Sequence, residues 1–152
     1  MPSDSPLQAV VEYCRAQTVS GSPVLAYRDT APAEEANVKV VPPYLVVFDD
    51  GGATVRDLEG NEFGPLSLRL TVYAPTPDLA RLTFDTVVYA AQPPEDRAGI
   101  EAAGAILTYL TGFSQAEVRL DRKPQEGRAI ARNVTALQHT VSARFQVFTT
   151  RS

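Results

Sequence analysis

The chain has 152 residues, of which 44% are hydrophobic and 21% charged, and a formal net charge of −4 at pH 7. This composition is that of an ordinary soluble globular protein, and its length predicts one domain, residues 1–152. No apolar run is long enough to span a bilayer, the only cysteine (Cys14) excludes an internal disulfide, and no signal peptide is recognisable, so we expect cytoplasmic synthesis.

Charge is distributed unevenly along the chain. Residues 1–60 carry four basic and nine acidic residues, a net charge of −5, and residues 61–114 carry three and six, a net charge of −3. Residues 115–152 carry seven basic and three acidic residues, a net charge of +4. Acidic and basic segments in one chain suggest complementary faces that could orient packed copies, unless the fold mixes the segments on one surface.

The first predicted element is a helix over Pro6–Gln17, with Ser5 as its N-cap and proline at the first helical position. Its buried stripe is predicted to be Leu7, Val10, Val11 and Cys14. A turn at Ser20–Ser22 leads into a short strand, Val24–Tyr27. Residues Asp29–Asn37 are polar and lack periodicity, which predicts an exposed loop.

Two strands are predicted in the middle of the chain. The apolar run Tyr44–Phe48 is typical of a central strand, and Asp49–Gly52 has the composition of a tight hairpin turn. Ala53–Leu58 is predicted to be the strand that returns after this turn. Leu66–Ala74 alternates apolar and polar residues and is predicted to bury Leu66, Leu68, Leu70 and Val72.

The next segment is predicted to be a strand followed by a helix. Ala80–Ala90 is rich in β-branched and aromatic residues, which favours a strand that buries Phe84 and Val88 over a helix at Asp78–Ala91. Glu95–Gly112 then has helical periodicity after an acidic start, with a stripe of Ile100, Ala103, Leu107 and Leu110. We expect Leu107 of this central helix to pack against the strand.

The last third of the chain is predicted to contain two strands separated by a loop. Ala116–Leu120 is a short strand, and Asp121–Asn133 is polar, basic and glycine-containing, which predicts a mobile loop over residues 119–133. The terminal strand Val134–Thr150 alternates, with His139, Val141, Ala143, Phe145 and Val147 on one side. The chain is thus predicted to combine helices and strands, with an extra β-hairpin in its middle.

Catalytic and metal-binding patterns are not recognisable in the sequence. One histidine and one cysteine do not build a zinc site, and His139 within an alternating strand is more typical of a structural residue than of a general base. The acidic clusters fit turn chemistry and do not match the spacing of an EF-hand. We therefore expect a protein that is not an enzyme and needs no metal or other cofactor.

Two charged groups remain as candidate interaction sites. The first is a basic arm interrupted by acids, without aromatic residues for base stacking, which favours protein contact over nucleic acid. Its members are Arg119, Arg122, Lys123, Arg128 and Arg132. The second is the acidic residues of the central hairpins: Asp49, Asp50, Asp57, Glu59 and Glu62.

The order of these elements resembles the tail terminator (tail completion) proteins and related neck and minor capsid proteins of long-tailed bacteriophages. The resemblance rests on the layout around "PPYLVVFDDG" at Pro42–Gly51, "TFDTVVYAA" at Thr83–Ala91, the acid-led helix Glu95–Gly112 and the final strand Thr140–Thr150. The chain differs from the usual small members by the hairpin within Ala53–Pro77.

The resemblance implies the fold class α/β (α+β), with a mixed, mostly antiparallel β-sheet and the N-terminal and central helices packed on one face. It also implies a non-catalytic, homo-oligomeric ring, commonly a hexamer. Such a ring caps the tail tube in the virion, ends its polymerisation and contacts the head–tail connector after assembly in the host cytoplasm. DNA would pass through the pore without specific binding, so we expect the acidic residues at the lumen and the basic arm against a neighbouring protein. Other phage neck or tail-tube components, or a small-molecule-binding α/β module, remain alternatives.

Overall fold

The computed structural model describes residues 5–51, 55–56, 62–63, 66–89, 109–110, 113–131 and 136–151. Two helices and eleven strands follow each other in these segments. They are α1 (Pro6–Arg15), β1 (Thr18–Val19), β2 (Ser22–Pro23), β3 (Ala26–Arg28), β4 (Glu34–Glu35), β5 (Val38–Lys39), β6 (Tyr44–Gly51), β7 (Val55–Arg56), β8 (Glu62–Phe63), β9 (Leu66–Ala74), α2 (Pro77–Tyr89), β10 (Phe113–Ile130) and β11 (Leu137–Arg151).

Five strands form the main sheet, in the order β10-β11-β9-β6-β3. β3 runs parallel to β6 and the other neighbours are antiparallel, so the sheet is mixed and mostly antiparallel, as predicted. The remaining strands form three two-stranded hairpins, β1-β2, β4-β5 and β7-β8. The β7-β8 pair lies within Ala53–Pro77, where the sequence predicts an extra hairpin, but it joins residues 55–56 to residues 62–63. The predicted return of Ala53–Leu58 from Tyr44–Phe48 is wrong, because β6 pairs with β9.

Helix α1 forms where its capping signals predict. The backbone N–H of Gln8 donates to Ser5 Oγ over 3.3 Å, and proline occupies the start of the helix, where its missing N–H costs nothing. All four residues of the predicted stripe are buried: Leu7, Val10, Val11 and Cys14. The prediction of this helix and of its packing face is confirmed.

The predicted strand at Ala80–Ala90 is wrong, because its described residues, 80–89, form most of α2. The helix begins after Thr76, whose Oγ1 accepts a hydrogen bond from the N–H of Leu79 over 3.2 Å. Pro77 at the first helical position and Asp78 in the first turn favour the same start. Thr76 thus caps a helix, rather than belonging to a reverse turn that enters a strand.

The burial of α2 follows the helical period and not the strand period. Its buried residues recur every three or four positions along one side of the helix: Ala80, Thr83, Phe84, Val87, Val88 and Tyr89. Leu82, which a strand would place beside Phe84, is 44% exposed. Thr83 is accommodated because its Oγ1 donates to the carbonyl of Leu79 over 2.8 Å, so tertiary packing overrides the strand preference of the β-branched residues.

Both described helices pack on one face of the sheet, which we call the inner face. Strands β6, β9 and β11 contribute the sheet side of this core: Leu45, Val47, Leu68, Leu70, Val72, Ala74, Val141, Ala143, Phe145 and Val147. Phe84 from α2 is fully buried there, with its ring centroid 6.1 Å from that of Tyr89. The α+β class, with helices on one face, is confirmed by this arrangement.

The opposite, outer face of the sheet is partly covered by residues 29–41, which we call the flap. Within the flap, β4 and β5 form a small hairpin whose turn residues Ala36 and Asn37 have φ of 52° and 66°. The predicted exposed loop at Asp29–Asn37 is therefore a structured hairpin. Beneath it lies an outer cluster of buried residues: Tyr27, Ala31, Val40, Tyr44, Val46 and Ala131.

The predicted loop over residues 119–133 is also wrong for most of its length, since residues 119–130 belong to β10 and pair with β11. The predicted turn at Asp49–Gly52 is wrong at its start, where β6 continues through Gly51. The central helix predicted at Glu95–Gly112, including Leu107, lies outside the described residues except for Tyr109 and Leu110. Neither described helix is long and apolar enough to cross a bilayer.

Candidate functional site

The outer face beyond the flap carries a ladder of polar side chains contributed by β9 and β11. The antiparallel register places them in four opposing pairs: Ser67–Gln146, Arg69–Arg144, Thr71–Ser142 and Tyr73–Thr140. The hydroxyls of Thr71 and Ser142 lie 2.9 Å apart, within hydrogen-bonding distance. Successive residues of a strand point to opposite faces of the sheet. The residues between these polar ones are apolar and buried on the inner face, so the same two strands supply both the core and a polar surface.

Asp50 sits between the two arginines of this ladder. One carboxylate oxygen lies 3.4 Å from Arg144 Nε and the other 4.0 Å from Arg69 Nε. Arg69 also stacks over Phe48, with its guanidinium carbon 4.5 Å from the ring centroid. Two like charges opposite each other on neighbouring strands repel, and the carboxylate of Asp50 offsets that repulsion. The cluster has a net charge of +1.

Asp50 is therefore a poor candidate for a negative lumen surface, because its charge is compensated. Asp49, the next candidate, is exposed, and its backbone N–H donates to Asp29 Oδ1 over 3.4 Å. Glu62 lies in β8. Asp57 and Glu59 lie outside the described residues. Asp49 and Asp50 are consecutive residues at the end of β6.

The basic residues Arg119, Arg122, Lys123 and Arg128 lie in β10, and Arg132 lies outside the described residues. The strand accommodates its unfavourable residues through irregular pairing, with register shifts between Leu120 and Arg122 and between Arg122 and Gln125. Pro124 falls in the second shift, at the sheet edge, where a missing N–H is tolerated. The basic arm is thus part of a strand at the sheet edge.

His139 contacts the arm from the neighbouring strand. Its Nε2 lies 3.4 Å from an Arg128 terminal nitrogen, and the two residues are cross-strand partners. The histidine is half-buried, next to buried Gln138 and Val141. This placement agrees with the interpretation of His139 as a structural residue.

The flap is anchored by Tyr27. Its pKa is raised to about 12, first by burial and then by its hydrogen bond to Glu35 of the flap. Tyr27, Tyr44 and Tyr73 form a row of rings, with centroids 6.1 Å and 5.3 Å apart along the row. The aromatic row and the buried tyrosine–carboxylate contact fix the flap to the sheet.

Two shallow cavities lie on the described surface. The larger, about 220 Å³, lies between the β1-β2 turn and α2 and is lined mainly by apolar residues that include Val24, Leu25 and Leu79. The smaller, about 150 Å³, lies beside the flap and is lined by residues that include Asp29, Phe48 and Ile130. Both are smaller than the 300–1,000 Å³ typical of ligand pockets.

Chemically reactive groups do not converge in the described part of the chain. No three His, Cys, Asp or Glu side chains there are grouped so as to hold a metal ion. Burial raises the pKa of the Cys14 thiol to about 12, which leaves it protonated and unreactive at neutral pH.

The sequence compares with known proteins as follows. No protein-family model matches the chain. No curated protein matches its sequence.

The Asp50–Arg69–Arg144 cluster is a feature that the sequence analysis does not predict. A signal was present, because Arg69 and Arg144 stand at outward positions of two predicted strands. The alternation within each strand does not give the register between the strands, which places the two arginines opposite each other and beside Asp50.

Proposed function

We propose that the chain is a structural virion protein that forms an oligomeric ring, commonly a hexamer in the proteins it resembles. In this role the ring caps a phage tail tube, ends tube polymerisation and joins the tail to the head connector. It acts in the virion, after assembly in the host cytoplasm. The observation that carries the proposal is the mixed sheet with its described helices on the inner face, the architecture that the resemblance implies.

The outer face and β10 supply contact surfaces suited to an assembling protein. Charged side chains lie there on strands of the sheet, including Arg69, Arg144, Lys123 and Arg128. Rigid surfaces bind with a smaller loss of conformational entropy than mobile loops. In the proposed ring, the basic strand contacts an acidic surface of a neighbouring copy or of the tube protein.

Thr83–Ala91 differs most from the layout of the proteins that the chain resembles, where a strand is expected. This segment therefore gives the proposal little support. Its described part forms α2 instead of a strand. The strands at Pro42–Gly51 and Thr140–Thr150, by contrast, correspond to β6 and β11 in the interior of the sheet. The proposal therefore rests on the sheet and on α1, more than on the whole chain.

The lumen assignment is retained for Asp49, Asp57, Glu59 and Glu62, and Asp50 is removed from it. A lumen passed by DNA needs a net negative charge, since phosphates are then repelled and few counterions are released. Asp49→Lys together with Glu59→Lys should slow DNA ejection from assembled particles. A Glu34→Lys variant on the flap, compared with the single Asp49→Lys variant, is the control with an equal change of charge.

The decisive experiment measures tail-tube length. Purified chain is added to the polymerising tube protein of its own phage, and tube lengths are counted by electron microscopy with native mass measurement of the capped ends. Capping predicts that tubes stop growing and carry a ring of one stoichiometry. Unchanged tube growth, with no complex of the chain and either tube or connector protein, would overturn the proposal.

A further inference from the structure

The two edges of the five-stranded sheet differ in how far they are closed. At the β3 edge, the carbonyl of Leu25 accepts from Leu45 in β6, so the next carbonyl, that of Ala26, points outward. Arg15 at the end of α1 donates to that carbonyl through Nε over 2.9 Å. β3 is only three residues long and its Ala26 and Tyr27 are buried. This edge offers no free template for another strand.

The β10 edge is open over a defined stretch. β11 pairs with one side of β10, and no strand in the described part of the chain pairs with the other. Gln125, Glu126, Gly127 and Arg128 are all exposed, so this stretch is accessible on its faces, and among the described residues no strand covers its outer edge. Its register with β11 is uninterrupted from Gln125 to Ile130. Such a stretch is a template for intermolecular pairing.

The open stretch is bounded by devices that discourage longer pairing. Lys123 and Pro124 precede it and the register shift before Gln125 disrupts the ladder, all of which blunt an edge strand. Any added strand must therefore pair with about five residues, from Gln125 to Ala129. Because each copy has one open edge and one closed edge, a strand-to-strand contact between copies must join two β10 edges.

We propose that two copies of the chain pair antiparallel through β10, with the two-fold axis at Gly127. This register places Glu126 opposite Arg128 of the second copy, and Arg128 opposite Glu126 of the second copy. Both side chains are exposed and lie on one side of β10, because they are two residues apart. Opposite charges directly across neighbouring strands attract, and the symmetry forms the pair twice.

The same register accounts for an exposed apolar side chain. Ile130 is 66% exposed and would lie opposite Pro124 of the second copy, at each end of the paired stretch. Burial of these residues adds apolar contact where the backbone pairing ends. The product is a continuous ten-stranded sheet, and the described helices of each copy stay packed on the inner face of their own half. This inference does not rest on the proposed function, and because both contacts involve β10 they are alternatives for one copy.

Charge reversal tests the pairing and its register together. Glu126→Arg and Arg128→Glu each place like charges opposite each other twice, so each single variant should raise the dimer dissociation constant by about tenfold or more. The double variant carries both changes and restores the opposite-charge pairs. An equimolar mixture of the two single variants restores them as well, in a heterodimer. Glu34→Arg, a charge reversal on the flap, is the matched control.

The readout is molecular mass against concentration by sedimentation velocity, with circular dichroism to verify that each variant is folded. The wild type and Glu34→Arg should dimerise alike, the two single variants should stay monomeric under the same conditions, and the mixture should form a heterodimer. A monomeric wild type at every soluble concentration would overturn the inference. So would single variants that dimerise as the wild type does, or a mixture that remains monomeric.

An interchain disulfide tests the same pairing without the charge variants. In the proposed register Gln125 lies opposite Ala129 of the second copy, so the variant Gln125→Cys with Ala129→Cys should form an interchain disulfide under mild oxidation. Cys14 does not compete, because it is fully buried. An oxidised variant that remains a monomer on a non-reducing gel would also overturn the inference.

Discussion

The two faces of the main sheet are built from the same strands and perform different tasks. In β9, Leu68, Leu70 and Val72 are buried under the helices, while Arg69 between them is exposed on the outer face. The inner face excludes water and supplies most of the stability. The outer face keeps charged groups near the solvent, where they contribute little to folding and are available for contacts.

The largest expected effect comes from the inner face. Phe84→Ala removes a fully buried ring from α2, so we expect a loss of about 3–5 kcal/mol in the free energy of unfolding. Leu82→Ala on the same helix should cost much less, because Leu82 is 44% exposed. Urea denaturation measures both. Equal losses would contradict the helical assignment, since a strand would place both side chains on one side.

The next effect concerns the flap and alkaline pH. The pKa of Tyr27 is raised to about 12 from an ordinary value of 10, so its contribution is complete below pH 10 and is lost as the pH rises towards 12. The loss should be on the order of 2 kcal/mol. Phenolate absorbance of the wild type against Tyr27→Phe isolates this titration.

Glu35→Gln is the matched variant for the same titration. It removes the negative charge beside Tyr27, so the pKa of Tyr27 should fall while burial keeps it above the ordinary value. An unchanged titration in Glu35→Gln would show that burial alone determines the shift and that the carboxylate does not anchor the flap.

A smaller effect is expected on the outer face at Asp50. Asp50→Asn leaves Arg69 and Arg144 opposite each other without a carboxylate between them, and should lower the free energy of unfolding by about 1 kcal/mol. High salt should shrink the difference, because the groups are partly exposed. Glu34→Gln on the exposed β4 strand is the control of equal charge. A salt-independent loss would indicate packing rather than charge.

The smallest expected effect is an absence of reaction at Cys14. The buried thiol has a pKa of about 12, so a thiol-specific chromogenic reagent should leave the native protein unlabelled at neutral pH. In denaturant the same reagent should label one thiol per chain. Rapid labelling without denaturant would mean that α1 opens away from the inner face under native conditions.

The sequence predicts elements well where one face alone is buried. The α1 stripe and the alternation of β9 follow directly from such burial. In α2, by contrast, β-branched residues allow both a strand and a helical period, and the position of the sheet beneath it decides between them. The start signals at Thr76, Pro77 and Asp78 were local and could have decided the case.

The candidate site was less predictable for a different reason. The described part of β10 after Lys123 is exposed on both sides, so it shows no hydrophobic period, and Pro124 and Gly127 resemble loop residues. Only pairing with β11 reveals it as a strand. The compensation of Asp50 likewise depends on two arginines from distant strands. Both features depend on the register between strands that are distant in sequence, and local composition does not determine that register.

The position of β11 has a consequence for synthesis on the ribosome. β11 follows the other strands in sequence but lies inside the sheet, with Ala74 paired to His139 and Leu66 paired to Val147. Until those residues leave the exit tunnel, β9 lacks one neighbour and the apolar surface beneath α2 stays open. The nascent chain must therefore remain unaggregated with an incomplete sheet, and closure of the core is a late event that depends on contacts between distant parts of the chain.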